Sequence, residues 1–307
     1  MPQHPKSREI EWPTLAITAY CYGGYILTTI YANTLGLWLF IPVLAIIIAQ
    51  HSSLQHEVLH GHPFANQHLN DLLVFPAIGL FVPYQRFRDL HLAHHYDPNL
   101  TDPYDDPESN FLDPDIWPKL PKIIQIIYGS NNTLFGRMAL GPAISILHML
   151  REDFCEILRG KLQIMHAYIL HLAGVILVIW WYLSFATQPL WAYILASYIG
   201  MSLLKIRTYL EHRAGRSAPN RSVIIESNGP LALLFLNNNF HAVHHANPKL
   251  AWYRLPKYYA ARKKEFLRRN GGYMYRSYGE IFAKYLFKAK DPVAHPLWPV
   301  IKRAPGE

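Results

Sequence analysis

Residues 34–60 read TLGLWLFIPVLAIIIAQHSSLQHEVLH, and this stretch decides what kind of fold the chain adopts. Its first part, 34–50, is an almost unbroken apolar run, close to the roughly 20 residues that a helix needs to cross a bilayer. Its end carries His56 and His60, whose spacing places two side chains on one face of a helix. The stretch therefore predicts a membrane-spanning helix that ends in paired imidazoles.

Three further apolar stretches, 14–32, 166–183 and 189–204, have nearly the length of a membrane span. Very short connections, one around Asn33 and one at 185–188, would join the four stretches into two hairpins. The alternative is a soluble bundle of four buried helices. The distribution of basic residues distinguishes these two structures.

Lys and Arg are absent from both hairpins. None occurs between Arg8 and Arg86, or between Lys161 and Lys205, although the chain has 29 in all. A soluble bundle has no reason for such a gap, so the pattern favours membrane spans. The positive-inside rule then places both termini and the central segment in the cytoplasm. The basic face accounts for the net charge of +8 and would attract anionic headgroups or an acidic partner, without any need for nucleic acid.

Composition agrees with an integral membrane protein. Hydrophobic residues make up 51% of the chain and charged residues 16%, against about a quarter charged in an average soluble protein. The chain has two cysteines, Cys21 and Cys155, which are too few for a four-cysteine iron–sulfur or zinc site. A disulfide framework and a cleavable signal peptide are not expected either.

We therefore expect an all-α polytopic membrane protein with four transmembrane helices in two hairpins and a cytoplasmic, histidine-rich cap that binds two metals. One domain would cover 1–307, with its core at about 14–256 and a basic cytoplasmic tail at 257–307. The shorter apolar segments 69–82, 123–128 and 138–150 are interpreted as helices in or near the membrane interface.

Histidines form three boxes with helical spacing, and a ninth histidine follows the fourth apolar stretch. In each box the side chains lie three or four residues apart, so they share one face of a helix. An even number of predicted crossings separates the boxes, so all of them reach the same side of the membrane. The nine candidate metal ligands are His56, His60, His91, His94, His95, His212, His241, His244 and His245.

Nine imidazoles are too many for one zinc ion, which takes four ligands in a structural site and typically three in a catalytic one. They suit two metal ions with four or five ligands each. Imidazole binds iron, zinc and copper, so the residue types alone leave the metal open.

The boxes, the two hairpins and their order resemble the membrane fatty acid desaturase superfamily, which includes hydroxylases and carotenoid ketolases. The resemblance covers roughly 51–256. It is strengthened by His212, by the run Asn237-Asn238-Asn239 before the third box, and by the segment 252–256 after it. It implies two iron ions, molecular oxygen as co-substrate, a lipid substrate in the bilayer and a separate electron donor such as a ferredoxin or cytochrome.

Several neighbours of the boxes have open roles. His62 is a further candidate ligand, although it would point away from the face shared by His56 and His60. The Asp- and Pro-rich segment 97–107 predicts turns, and one of its carboxylates is a candidate to orient an imidazole N–H. Asn238 is interpreted as either a neighbour of the metals or a turn residue. Three other histidines are not expected to bind metal. His51 is interpreted as an interface residue, and His166 and His171 are expected to be structural.

Three other functions compete with acyl-chain desaturation. Hydroxylation or ketone formation would use the same site. The first box also matches H-E-x-x-H, with Glu57 as the general base of a membrane zinc protease. That reading leaves seven histidines unexplained. A metal transporter would place its ligands within the spans, whereas these lie at or beyond the span ends.

Oxygen activation at two irons requires electrons that this chain has no means to supply. It contains no GxGxxG dinucleotide motif and too few cysteines for an iron–sulfur centre. A separate protein is therefore expected to deliver the electrons at the cytoplasmic face. The basic run 257–269 is interpreted either as its docking site or as a surface for solvent and lipid headgroups.

Overall fold

The computed structural model describes residues 10–298, which form helices joined by turns and loops with almost no strand, as expected for an all-α protein. The two strands among them, β1 (Ile224–Ile225) and β2 (Met274–Tyr275), are two residues long and pair in parallel. The helices of the described part are α1 (Trp12–Ile30), α2 (Ala32–Leu59), α3 (Gln67–Leu73), α4 (Tyr84–Tyr96), α5 (Lys122–Asn131), α6 (Leu134–Leu158), α7 (Leu162–Phe185), α8 (Leu190–Thr208), α9 (Pro230–Leu234), α10 (His241–Ala246), α11 (Leu255–Arg269) and α12 (Tyr278–Tyr285).

The two predicted hairpins appear as the helix pairs α1–α2 and α7–α8. Tyr31 alone separates α1 from α2, and four residues after Phe185 separate α7 from α8. Helix α2 continues nine residues beyond its predicted end at 50 and includes most of the first histidine box. Gly61 follows with φ +97°, a left-handed conformation that glycine adopts readily at a helix end.

Within residues 10–298, two helices, α2 and α7, are long and apolar enough to cross a membrane. A third candidate span is the pair α5–α6, which is bent by 117° at the break between its two helices. Helix α1 contains four threonines and three tyrosines, and α8 ends with Lys205 and Arg207, so both are less apolar. The prediction of four spans in two hairpins thus remains a prediction. The chain termini lie outside the described residues.

The described residues form two compact units. Unit 1 comprises 10–88, 152–201 and 249–253, and unit 2 comprises 89–151, 202–248 and 254–298. Whether the chain is a single domain therefore stays a prediction.

Unit 1 contains an apolar core built from α1, α2, α7 and α8. Phe40, Leu44 and Ile48 of α2 are fully or nearly fully buried there, with Tyr182 and Tyr193. A buried hydroxyl is costly without a hydrogen bond, and Tyr193 donates to the carbonyl of Ile78 at 2.9 Å. The helices and the segment after α3 also come close enough to require glycine. An added Cβ at Gly174 would lie 2.5 Å from the backbone oxygen of Phe75.

The predicted interfacial segments are only partly helical. Over 69–82 the helix is confirmed as far as Leu73, and the rest is a series of turns in which Leu80 has φ +62°. The segments 123–128 and 138–150 do form helices, as parts of α5 and α6. Their position relative to a membrane remains a prediction.

Unit 2 is built around the short β1–β2 ladder, α10, α11 and α12. The predicted tail begins inside this unit, since its described part forms most of α11 together with β2 and α12. An isolated bridge between His212 and Ser222 continues the same region next to β1. These contacts place the segment after α8 beside the third histidine box.

Candidate metal centre

Seven of the nine predicted ligands lie in unit 2. Helix α4 carries the second box, α10 carries the third, and the bridge between His212 and Ser222 holds the ninth histidine. Because both boxes lie on short helices, each places its imidazoles on one side, as the spacing predicts. The seven are His91, His94, His95, His212, His241, His244 and His245.

One group consists of His94, His212, His241 and His245, whose ligand nitrogens all lie within 4.8 Å of one another. The Nε2 atom of His212 lies 2.9 Å from that of His94 and 3.0 Å from that of His241. The Nε2 atom of His241 lies 3.0 Å from that of His245. Four imidazoles therefore direct the same nitrogen at a common point.

The other group in unit 2 consists of His91, His95 and His244. The Nε2 atom of His95 lies 3.0 Å from those of His91 and His244. The two groups adjoin, since the rings of His95 and His245 stack with their centroids 4.2 Å apart. Two adjacent sets of nitrogen ligands are what a pair of metal ions requires.

Carboxylates hold the outward nitrogens of two of these histidines. Nδ1 of His94 lies 2.7 Å from Oδ1 of Asp106, and Nδ1 of His91 lies 2.7 Å from Oε1 of Glu108. A carboxylate accepts a hydrogen bond, so each Nδ1 carries a proton and Nε2 is the nitrogen that remains to bind a metal ion. Such outer carboxylates are the usual partners of metal-binding histidines.

Uncharged polar side chains contact the outward nitrogens of two more histidines, His241 and His212. Nδ1 of His241 lies 3.3 Å from Oδ1 of Asn238, and Nδ1 of His212 lies 3.3 Å from Oγ of Ser222. Asn238 also donates to Glu211 at 3.0 Å, and Glu211 pairs with Arg207 at 2.9 Å. Asn238 therefore orients a ligand, a role between the two that the sequence suggested.

The inward nitrogens fit a cation better than they fit one another. A ring nitrogen has either one hydrogen or one lone pair, so it can form one hydrogen bond in the ring plane. Nε2 of His212, of His241 and of His95 each faces two other Nε2 atoms at 2.9–3.0 Å. Lone pairs at this distance repel, and a metal ion shared between them removes the repulsion.

The separations also indicate the geometry that the groups would give a metal. Nitrogens bound at about 2.1 Å lie about 3.0 Å apart when the angle at the metal is 90°, and about 3.4 Å apart at a tetrahedral angle. The separations of 2.9–3.0 Å match the right angle. These nearest separations are thus shorter than those of a tetrahedral zinc site.

Burial and charge set the protonation of these groups in the metal-free protein. Burial, with His91 and His94 nearby, lowers the pKa of His95 to about 3. Burial likewise lowers the pKa of His212, His241 and His245 well below the usual value, which keeps them neutral.

His94 differs because it faces carboxylates. Burial alone would lower the pKa of His94, but Glu108 and Asp106 outweigh it and raise the pKa to about 9. Burial would raise the pKa of Glu108, yet His91 and His94 hold it well below its usual range. Glu108 is therefore charged at neutral pH and helps to compensate a bound cation.

The first box lies in unit 1 at the end of α2. His56 and His60 are 4% and 9% exposed, and their ring centroids are 5.1 Å apart at an interplanar angle of 71°. The helix thus brings the two imidazoles together, as the spacing of four predicts. Their role as ligands stays a prediction.

His62 groups with carboxylates. Its Nδ1 lies 2.9 Å from Oε1 of Glu11, and its Nε2 lies 3.7 Å from Oε1 of Glu57. Glu57 also accepts the backbone N–H of Trp252 at 2.9 Å. His62 and Glu57 are each 5% exposed. This network in unit 1 gives His62 polar partners of its own.

The three histidines that were not expected to bind metal, His51, His166 and His171, lie apart from the histidine groups. Nε2 of His51 lies 3.0 Å from the hydroxyl of Tyr22, and His171 donates to the carbonyl of Leu80 at 2.8 Å. His166 is exposed on α7. None of these three belongs to a histidine group among the described residues.

Sequence reasoning missed three orienting side chains. Glu108 follows the Asp- and Pro-rich segment directly but lies beyond its predicted end at Pro107. The spacing of the histidines indicates neither Glu211 nor Ser222. The signal that could have identified Glu108 is its place in the sequence, directly after an Asp-Pro turn that leads back towards α4.

A sequence model of the family described as Fatty acid desaturase matches residues 32–278 of the chain. The match includes all three histidine boxes and His212. A search of curated proteins finds no match to the chain.

Proposed function

Because this chain belongs to the fatty acid desaturase family, we propose that it is a membrane oxidoreductase that uses two iron ions and molecular oxygen to introduce a double bond into a lipid acyl chain. The observation that carries the proposal is the convergence of seven imidazole Nε2 atoms in unit 2 into two adjoining groups. The family supplies the class of reaction, and the histidine groups supply a place for the metals.

The eight histidines of the three boxes and His212 together provide the ligands. They are His56, His60, His91, His94, His95, His212, His241, His244 and His245. Iron suits this set because imidazole binds it well and because zinc has no redox chemistry. When bound, the two irons supply the activation of oxygen that removes hydrogen from an unactivated C–H bond.

The protein's own side chains prepare the site for this chemistry. Asp106 and Glu108 fix the tautomers of His94 and His91, so that Nε2 faces inward without reorganisation. Burial excludes bulk water, since His91, His94, His241 and His244 are at most 3% exposed. A dry, prearranged set of imidazoles limits side reactions of activated oxygen.

We further propose that α1, α2, α7 and α8 are four spans in two hairpins, with both termini and the metal centre in the cytoplasm. The absence of Lys and Arg between Arg8 and Arg86 and between Lys161 and Lys205 supports this orientation. The substrate would be a lipid that enters from the bilayer. A separate electron-donor protein would approach from the cytoplasm.

The zinc-protease alternative has little support. It requires the carboxylate of Glu57 to activate water at a metal. In unit 1 that carboxylate accepts the N–H of Trp252 at 2.9 Å and lies 3.7 Å from His62. The alternative also leaves the two histidine groups of unit 2 without a function.

The test is product analysis after expression in a lipid-producing host under air, with a ferredoxin and its reductase supplied. We expect mass spectrometry to find lipids that have lost two hydrogens, and metal analysis of purified protein to find two irons per chain. Gain of one oxygen would identify a hydroxylase instead. An unchanged lipid profile from iron-loaded protein would refute the proposal, and the His241→Ala variant is the matched blank.

A further inference from the structure

Helix α11 exposes a face that is strongly basic and carries no large apolar side chain. Leu255, Tyr259 and Phe266 are buried within unit 2, whereas Tyr258 and Leu267 are half-buried. Glu265 is the one exposed acid on the helix. The exposed cations are Lys257, Arg262, Lys263, Lys264, Arg268 and Arg269.

Helix α5 of the same unit shows what a membrane-facing surface would look like. Ile123 and Ile126 of α5 are 62% and 63% exposed, next to the exposed Lys122. A helix that lies on a bilayer buries such apolar side chains among the headgroups. Helix α11 has already used its apolar face for packing. Its exposed face therefore fits a charged partner in water better than a bilayer.

Helix α11 also packs directly against the third histidine box. The ring of Tyr259 lies against that of Phe240 with centroids 5.1 Å apart, and Phe240 directly precedes His241. Tyr258 donates to Asn247 at 3.3 Å, just after α10. The basic face is thus one aromatic contact away from the helix that holds three of the proposed ligands. Electrons pass readily between two proteins only when their redox centres are close, and this contact brings the face of α11 close to the proposed ligands.

We infer that the exposed basic face of α11 is the docking surface of a small acidic one-electron carrier protein, an iron–sulfur or haem protein. This inference rests on the proposed function, which consumes electrons. Each carrier is oxidised by one electron, and two carriers act per turnover. Two C–H bonds of the substrate break and a C=C bond forms, which releases two electrons and two protons. With the two electrons of the carriers and two protons from water, oxygen receives four electrons and four protons and becomes two waters.

Some of these cations are held by their own unit. Lys263 lies 2.6 Å from Glu226, which also accepts the hydroxyl of Tyr259 at 2.6 Å. Arg262 lies over the ring of Tyr258 at 4.1 Å. Within the part of the chain that the structure describes, Lys264 and Arg268 enter no such ion pair, so their charges can be reversed with little effect on the fold.

The test compares two double variants with the same change of charge. Lys264→Glu with Arg268→Glu alters α11, and Lys119→Glu with Lys122→Glu alters exposed lysines elsewhere in unit 2. The probe is a plant-type ferredoxin, and its association with the purified, iron-loaded full chain is measured against ionic strength. Because electrostatic steering raises association rates by at least about tenfold, we expect the α11 variant to associate roughly tenfold more slowly at low salt and to depend less on salt. The control should match the parent.

Turnover with two reductants separates docking from catalysis. The α11 variant should oxidise lipid at the parent rate in a single turnover, when the protein is reduced with dithionite, freed of excess reductant and then exposed to air, but it should do so slowly with limiting reduced ferredoxin. Unchanged ferredoxin association in the α11 variant would overturn the inference. So would a variant that lost only a preference for anionic over neutral lipid nanodiscs, since that marks a headgroup surface. If ferredoxin binds through α11 but neither reductant supports lipid oxidation by the parent, the docking surface stands and the proposed reaction fails.

Discussion

Four imidazoles in unit 2 direct Nε2 inward while a neighbouring side chain contacts Nδ1, and they are those of His91, His94, His212 and His241. His94 is the extreme case, since it is fully buried and lies 2.7 Å from the carboxylate of Asp106. A neutral partner at this position would leave the tautomer of His94 less firmly set. The ligands and their orienting groups should therefore respond differently to substitution.

Removal of a ligand should remove the metal. His212→Ala is expected to lose most of its iron and nearly all turnover, because a methyl group cannot replace imidazole in a site where Nε2 of His212 faces two other ligands. Metal analysis and product formation provide the measurement. His166→Ala, at an exposed position of α7, is the control and should resemble the parent. Full iron and full activity in His212→Ala would exclude it as the ninth ligand.

Removal of an orienting carboxylate should weaken the metal site without abolishing it. Asp106→Asn keeps the size of the side chain but removes its charge, and loss of such a partner typically lowers metal affinity about 10- to 100-fold. Competition with a chelator would measure the change. Asp105→Asn, at the exposed neighbouring position, should have no effect. Equal affinities for the two variants would show that Asp106 does not orient His94.

Metal binding should also release a proton from His94. Its pKa of about 9 means that the metal-free protein binds this proton at neutral pH, and a metal ion must displace it. Apparent affinity should therefore rise with pH between about 7 and about 9, by up to roughly tenfold per unit. Zinc, as a redox-inert probe, allows the measurement by calorimetry. An affinity for zinc that does not change over this range would contradict the assigned protonation.

The grouping of the histidines could be predicted from sequence, whereas most of the side chains that contact their outward nitrogens could not. Residues three or four apart share one face of any helix, so the histidine boxes can be recognised from their spacing in the sequence. Asp106 and Glu108 reach α4 only because the segment after it turns back, with Glu108 N–H bound to Asp106 at 2.9 Å. Such a path depends on the fold of a loop, which residue spacing does not encode.

At the scale of helices, hydropathy located the elements but not their ends. Helix α2 continues to Leu59 because polar residues such as Ser52 and Gln55 are compatible with a helix, and it ends where Gly61 adopts φ +97°. Over 69–82 the apolar composition suggested one helix. Pro76 and Gly79 instead end it, and the chain continues in turns after Leu73.

Close packing of α7 against the segment after α3 leaves no room for a side chain at Gly174, and this can be tested. Gly174→Ala would place a methyl group 2.5 Å from the carbonyl oxygen of Phe75, so the backbone must shift. Overpacking of this kind typically costs about 1–3 kcal/mol and should lower the melting temperature in detergent. Gly23→Ala is the control, since nothing lies within 4 Å of its added Cβ and alanine favours a helix. Similar melting temperatures for both variants would refute the close contact.

At the scale of the molecule, the distribution of Lys and Arg is the feature that most specifically predicts how the chain is oriented in a membrane. All basic residues lie outside two windows, and each window contains one predicted hairpin. The helices in those windows differ in apolar character, since α2 and α7 satisfy the length and hydropathy of a span while α1 and α8 are less apolar. Orientation is therefore better tested by access from each side than by hydropathy.

Labelling in intact cells would decide the orientation. In a background of Cys21→Ser and Cys155→Ser, we expect Thr187→Cys, in the connection between α7 and α8, to react with a membrane-impermeant maleimide added outside. Thr187 is exposed and its connection contains no Lys or Arg, so the positive-inside rule places it away from the cytoplasm. Lys264→Cys, exposed on the basic α11, should react only after the cells are permeabilised. Labelling of Lys264→Cys in intact cells would place unit 2 outside the cytoplasm. The histidine centre would then lie out of reach of a cytoplasmic electron donor, and the proposed supply of electrons would fail with it.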